Sequence, residues 1–270
     1  MAVAYESSTT VAPTTASSIA LTKPSGLAIG DLMVAHLLLT VGQTVSSAPT
    51  GFTFKDTVTD STSLSTSDIY YKTADSGDVA ASTFTFTLSG SSSCGGALLR
   101  VSGATSSTSI SEYGEANIVV PTTTPSFANT VTPHVASSLL LFMITHANAS
   151  AISAYAVATS NPSWTEVYDV VGGVRGLACA WAVRPEVTAT GNSSVTCSST
   201  NQITSQMLVI MPTFLSTISD STTVTDTVQQ MVAVFPTDSV TPTDTITVIK
   251  QKTWATLNKI ATTWSNLTKS

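Results

Sequence analysis

Three histidines in a chain rich in serine are the first residues that could support catalysis. His36 and His146 lie in or at the end of apolar segments, and His134 follows a proline. A Ser–His–carboxylate set works by placing a base beside a hydroxyl nucleophile, and the fold must bring the three together. No Gly-x-Ser-x-Gly sequence marks a strained nucleophile turn. The sequence therefore favours structural histidines.

Acidic residues crowd one segment, at Asp56, Asp60, Asp68, Asp75 and Asp78. Ca²⁺ takes carboxylate and carbonyl oxygens from loops of this kind. The run from Asp75 to Asp78 has too few ligands for a calcium loop, so we expect a loop of solvated turn residues. No spacing of His and Cys suggests zinc.

Two carboxylate pairs have the residue types that glycoside hydrolysis needs, Glu112 with Glu115 and Glu166 with Asp169. That reaction requires two carboxylates facing each other across a cleft. Nothing around either pair marks a pocket. We therefore predict a protein that is not an enzyme, with no catalytic residue, no cofactor and no metal.

Three cysteines are present, Cys94, Cys179 and Cys197. An odd count without a CxxC pair excludes a disulfide framework. The favoured interpretation is three buried thiols that act as small apolar side chains. A bridge between Cys179 and Cys197 on neighbouring strands is the alternative.

Exposed aromatic rings could form a platform for sugars. We expect most of the tyrosines and tryptophans to be core residues, but carbohydrate contact by some of them remains an alternative. The candidates are Tyr70, Tyr71, Tyr113, Tyr155, Trp164, Tyr168 and Trp181.

The composition indicates the class of fold that must position these residues. Charged residues make up 10% of the 270 and hydrophobic residues 42%, while serine and threonine form about a third. Threonine and valine favour strands, so the chain is predicted to be all-β. With a net charge of -6 and ten basic residues, nucleic-acid binding is disfavoured because it needs clustered Lys and Arg. Membrane insertion is not expected, since no apolar run approaches the ~20 residues of a spanning helix. The first ten residues also lack the features of a secretory signal.

Five segments of the first half recur in the same order in the second half. In pairs, they are Leu32–Leu38 with Leu139–Thr145, Pro49–Thr53 with Asn161–Thr165, Ile69–Lys72 with Leu177–Val183, Thr83–Thr87 with Ser194–Ser198, and Ala97–Ser102 with Gln206–Met211. We predict an antiparallel two-layer β-sandwich, jelly-roll-like, over residues 1–214, with halves at about 1–104 and 115–214. Two separate small sheet domains are the alternative arrangement.

The last 56 residues have a different pattern. Residues 215–248 contain a Thr/Val/Asp repeat with a shift of 18 residues, which predicts weak strands or a linker. Residues 249–270 repeat a Thr-Trp-x-x-Leu-x-Lys unit, and we predict that they form a docking tail for another chain, because two indoles cannot be buried within so short a segment. The alternative is that the tail folds back onto the sandwich of its own chain. The apolar spacing favours a helix over a hairpin. The predicted partner-binding residues are Trp254, Leu257, Ile260, Trp264 and Leu267.

Glycine and proline punctuation over residues 3–213 resembles a β-sandwich module of tailed-bacteriophage and prophage virion proteins. The likeness is carried by Lys23–Gly26, Gly30–Leu32, Pro49–Phe52, Tyr70–Ala74, Phe84–Phe86, Gly95–Leu98, Asn161–Trp164 and Leu208–Pro212. The repeated Thr-Trp-x-x-Leu tail is similar to repetitive ends of phage minor tail proteins.

The resemblance implies a non-enzymatic virion structural protein, a minor tail, fibre or other surface appendage subunit. Such a protein would be assembled in the host cytoplasm and would contact other virion proteins or copies of itself. A carbohydrate-binding adhesion module that contacts host-surface glycans is the alternative function.

Overall fold

The computed structural model describes residues 2–60, 64–104, 110–117, 122–146, 151–159, 161–200 and 203–213. In these residues nearly all regular structure is antiparallel β-sheet, which confirms the predicted all-β sandwich. The predicted repeat over 215–248 and the docking tail over 249–270 lie outside the described residues.

The first half of the chain forms one five-stranded path in the order β1-β6-β2-β5-β4, with the short strand β3 paired to β6. Its elements are β1 Ala4–Thr22, β2 Leu32–Thr40, β3 Val45–Ser47, β4 Thr53–Thr59, β5 Ser65–Thr73, α1 Ser76–Ala80 and β6 Thr83–Ser102.

The second half forms a five-stranded sheet in the order β7-β14-β9-β12-β11 and a three-stranded sheet in the order β10-β13-β8. Its strands are β7 Ile110–Asn117, β8 Ser126–Phe127, β9 Ser138–His146, β10 Ile152–Val157, β11 Thr165–Gly172, β12 Arg175–Arg184, β13 Ser193–Cys197 and β14 Ile203–Ile210. Three of the five segment pairs found in the sequence lie on strands in matching places of the two orders: β2 with β9, β5 with β12, and the second part of β6 with β14. The pair Pro49–Thr53 and Asn161–Thr165 leads into the matching strands β4 and β11. The pair Thr83–Thr87 and Ser194–Ser198 lies at the start of β6 and in β13.

The two five-stranded sheets pack face to face around a shared apolar layer, which we call the central core. Strands β2 and β9 both lie in the middle of their sheets and contribute alternate residues to it, as period-two geometry requires. These contributions are Leu32, Val34 and Leu38 from β2, and Leu139, Leu141 and Met143 from β9.

Outer strands cover the opposite face of each five-stranded sheet, so two further cores flank the central one. In the first half, β1 and β6 are long enough to bend over the sheet, and Ile19, Phe84 and Phe86 pack there against Met33 and other residues of β2 and β5. In the second half, β8, β10 and β13 do the same. Strands β2 and β9 are therefore buried on both faces, which explains their uninterrupted apolar runs.

A proline in β1 marks a close approach between the halves. Pro13 lies where the pairing of β1 with β6 shifts register, a place where a strand tolerates a missing N–H. Gly95 and Gly172 lie against it, and a Cβ on Gly172 would come within 2.1 Å of the Pro13 carbonyl oxygen. Glycine is needed at 172 because backbone occupies the space of a side chain.

The acidic segment differs from the expectation of a loop of solvated turn residues. Asp75 caps the short helix α1, whose Asp78 accepts a hydrogen bond from Lys72 Nζ at 2.7 Å. Asp60, Asp68 and Asp78 are buried. The prediction of solvated carboxylates is therefore wrong for these three, because each is held by backbone or side-chain donors or lies under neighbouring strands.

Shortening a central-core residue tests whether the two halves depend on each other. Leu141→Ala should lower the free energy of unfolding by about 2–5 kcal/mol, because a buried leucine leaves a cavity when truncated. Leu64→Ala makes the same change at a side chain that is 46% exposed and should cost less than about 0.5 kcal/mol. Urea denaturation followed by tryptophan fluorescence measures both. Equal losses in the two variants would contradict the packing described here.

Candidate functional site

A histidine and a serine from the first half do meet, but inside the central core. His36 Nε2 lies 3.0 Å from Ser67 Oγ, and His36 Nδ1 lies 2.8 Å from the Tyr168 hydroxyl of the second half. Ser67 Oγ also contacts Gln206 Oε1, and Gln206 Nε2 lies 3.0 Å from the Tyr113 hydroxyl. These five side chains form what we call the His36 chain, which joins the two five-stranded sheets.

The direction of every hydrogen bond in the His36 chain follows from the Gln206 amide. Its Nε2 can only donate, so its Oε1 accepts the single proton of Ser67. Ser67 Oγ must then accept from His36 Nε2–H, which leaves Nδ1 to accept from the Tyr168 hydroxyl. At the other end Tyr113 donates to Glu115 Oε2 at 3.2 Å. The protons therefore all point from Tyr168 towards Glu115.

This arrangement suits cohesion better than catalysis. His36 and Gln206 have no exposed surface and Ser67 is 1% exposed, so solutes do not reach the hydroxyl in this structure. The imidazole donates to Ser67 instead of removing its proton. Burial lowers the pKa of His36 to about 3, which keeps the ring neutral. The structural interpretation of this histidine agrees with its surroundings.

Three further candidates from the sequence, His146, Glu166 and Asp169, also have surroundings that favour a structural role over a catalytic one. Asp169 Oδ2 accepts from the Ile152 backbone N–H at 2.8 Å, and its Oδ1 lies 3.9 Å from His146 Nε2. Burial, and then the nearby charge of Asp169, raises the pKa of Glu166.

All three cysteines are free and buried, so the alternative of a Cys179–Cys197 bridge is wrong. Burial raises the pKa of Cys197 to about 11 and that of Cys179 further still, so both stay protonated at neutral pH.

Across the part of the chain that the structure describes, no three His, Cys, Asp or Glu side chains gather as a metal-binding group. A search of the same residues finds no helix with the length and apolar character to cross a membrane.

An open cavity of about 370 Å³ lies on the outer side of the first five-stranded sheet, where β3 is too short to cover β4 and β5. We call it the Gln43 groove. Paired residues of β4 and β5 form its floor, and the turn between β2 and β3 forms its wall. Its lining comprises Gly42, Gln43, Thr44, Val45, Phe54, Thr57, Thr59, Thr66, Asp68 and Tyr70.

Polar groups and rings share the floor of the Gln43 groove. Asp68 is 6% exposed, and burial raises the pKa of its carboxyl while a hydrogen bond with the Thr57 side chain opposes the rise. Phe54 is 48% exposed and meets the ring of Tyr70 edge-on at 5.3 Å between centroids. Among the described residues, Gln43 Oε1 is buried without a hydrogen-bond partner, although its Nε2 donates to the Gly90 carbonyl at 2.6 Å.

Most of the aromatic candidates lie in the cores, as the sequence indicates. Tyr155 and Tyr168 are buried, and Tyr71, Tyr113, Trp164 and Trp181 pack against core clusters. Tyr70 is the one member of that pool that lines the Gln43 groove. Sequence reasoning missed Gln43 and Phe54 as site residues. One feature of the sequence could have indicated the groove. Thr57, Thr59, Thr66 and Asp68 are polar, although they lie on strands that are expected to bury one face.

Comparisons with protein-family models, with curated proteins and with solved structures find no match for this chain. The predicted partner-binding residues of the tail lie beyond residue 213, outside the described residues. The resemblance to a virion module and the docking role of the tail therefore stay predictions.

The His36 chain predicts a pH dependence of stability with a definite sign. The folded-state pKa of His36 is about 3 and its ordinary value is 6.5, so between these limits the unfolded chain binds a proton that the folded chain does not. Stability from this group is complete above pH 6.5 and falls as the pH drops, by up to about 1.4 kcal/mol per pH unit.

His36→Gln isolates this contribution, because glutamine offers a donor and an acceptor but does not titrate. Its free energy of unfolding, measured in urea from pH 7 to pH 4, should fall less steeply than that of the wild type. His134→Gln makes the same substitution at an exposed histidine outside the His36 chain. It is the control for the change of residue type, and its pH dependence should follow that of the wild type. Parallel losses in the wild type and His36→Gln would refute the assignment.

Proposed function

We propose that this chain is a non-enzymatic structural protein of a tailed-bacteriophage virion, a minor tail or surface appendage subunit. Its partners are other virion proteins or copies of itself. It is assembled in the host cytoplasm and resides in the particle.

The observation that carries this proposal is the doubled sandwich. Two halves with the same strand order share one core, and the middle strand of each five-stranded sheet is buried on both faces. Such a block is stiff, since close-packed interiors transmit strain instead of absorbing it. Its low charge and many hydroxyls suit a surface exposed to varied salt. Stiffness and a surface that tolerates varied salt are properties that a subunit bearing load in an external assembly needs.

The carbohydrate-binding alternative is supported by the Gln43 groove, which opens to solvent beside an exposed aromatic ring. The two functions are compatible, because an appendage subunit can carry a ligand site.

Particle composition tests the virion proposal. We expect peptides from both halves, such as those spanning β5 and β12, to co-purify with phage particles through a density gradient at a constant ratio to the capsid protein. The measurement is quantitative mass spectrometry of gradient fractions. A soluble lysate protein of unrelated function serves as the control for trapping. Absence of the peptides from particle fractions, with abundance in the lysate, would overturn the proposal.

The docking tail has a separate test. Deleting residues 250–270 should prevent incorporation into particles or dissociate the oligomer. In the full chain, Trp254 and Trp264 would bury apolar area against a partner, at roughly 25 cal/mol per Å², and the deletion removes this contribution. Light scattering and particle incorporation measure the effect. Replacing Lys250 and Lys252 with glutamine in the full chain is the control, since rim charge affects association rate more than binding strength. A truncated protein that still assembles would contradict the docking role.

A further inference from the structure

We propose that the Gln43 groove is a binding site for one hexopyranose unit of a neutral saccharide, held by Asp68, Gln43 and the threonines over the rings of Phe54 and Tyr70. The source of that saccharide, a host-cell surface, rests on the proposed virion role. The binding site itself does not, and it can be tested on the isolated protein.

Comparison of the two halves shows that the fold does not require this groove. His36 of β2 and Met143 of β9 occupy equivalent positions in the two halves. Their partners on the neighbouring strands are Ile69 and Cys179. The residues on either side of these partners are therefore equivalent too, so Asp68 matches Ala178 and Tyr70 matches Ala180. Both alanines are fully buried. The covering strand there, β10, has six residues against three in β3, and it places Tyr155 within the second outer core.

The same position in the duplicated fold is thus closed and apolar in one half, but open and polar in the other. A carboxylate in place of a small apolar side chain costs desolvation energy unless it is hydrogen-bonded, and the same holds for the buried Gln43 amide beside it. Thr57 partly satisfies Asp68, whereas Gln43 Oε1 has no partner among the described residues. A buried acceptor of this kind calls for a donor. Because Gln43 lines the groove, a ligand hydroxyl supplies that donor once the amide turns towards the cavity.

The chemistry of the lining selects a polyol over other small ligands. Asp68 and Gln43 Oε1 accept hydrogen bonds, while the hydroxyls of Thr57, Thr59 and Thr66 both donate and accept. These groups are spread along two paired strands, which suits several separate hydroxyls better than one concentrated charge. The exposed Phe54 ring and the edge of Tyr70 add the apolar surface on which the C–H face of a pyranose packs. A volume of about 370 Å³ falls within the usual size of small-molecule sites.

Saturation-transfer NMR on the purified full chain tests the site. The probes are the methyl pyranosides of glucose, galactose and mannose and that of N-acetylglucosamine, each up to 20 mM. We expect transfer from the protein to the ring C–H protons of at least one probe. Asp68→Asn and Phe54→Ala should each weaken the affinity for that probe at least tenfold. Phe54 is half exposed, so its variant probes the site even if Asp68→Asn is poorly folded.

Asp56→Asn is the matched control, since it removes a carboxylate from the same strand pair. Asp56 interacts with Tyr113 and Glu115 and is not part of the groove lining, so binding should be unchanged. Transfer from none of the four sugars would overturn the proposal. So would transfer that survives both groove variants. None of these outcomes depends on whether the protein is found in particles, so a failure here is distinct from a failure of the virion proposal.

Discussion

Burial of the central strands β2 and β9 on both of their faces is the constraint on which the rest of this structure depends. Water cannot hydrogen-bond to the polar groups of a strand in that position. Its backbone N–H and C=O groups must therefore be paired within the protein, and its side chains must be apolar or hydrogen-bonded. Strands β2 and β9 meet the requirement with nine-residue runs that are buried almost throughout. The halves cannot separate without exposing the whole central core, which is why they form one unit.

The His36 chain shows how the central core tolerates polar residues. Each of its hydroxyl, imidazole and amide groups has a partner from a neighbouring strand or from the opposite sheet. Such a network fixes the relative position of the sheets, because sliding one sheet would leave several buried groups unpaired at once. The Gln43 groove is the converse case, in which the buried Gln43 Oε1 has no hydrogen-bond partner among the described residues.

The sequence predicted the fold class and the internal duplication, because periodicity and turn residues act locally. The alternating Thr83–Leu88 segment, for example, fits one half-buried face, as found in β6. The hydrogen bonds of Ser67 with His36 and with Gln206 were not predictable, because the partners lie 31 and 139 positions away in the sequence. The groove was missed for a related reason. Its polar floor becomes visible only when β3 proves too short to cover it, and covering length depends on tertiary packing.

Equivalent faces of equivalent sheets meet in the central core, which is the pattern of an isologous homodimer fused into one chain. In a true homodimer every substitution would appear twice, on both sides of the axis. Fusion removes that restriction. A single chain permits His36 to contact Tyr168 while the equivalent residue in β9 is Met143. It also permits a row of hydrogen bonds that all run in one direction, which a row lying across a twofold axis could not do. In a single chain, one half can thus keep the packing at a position while the matching position of the other half differs.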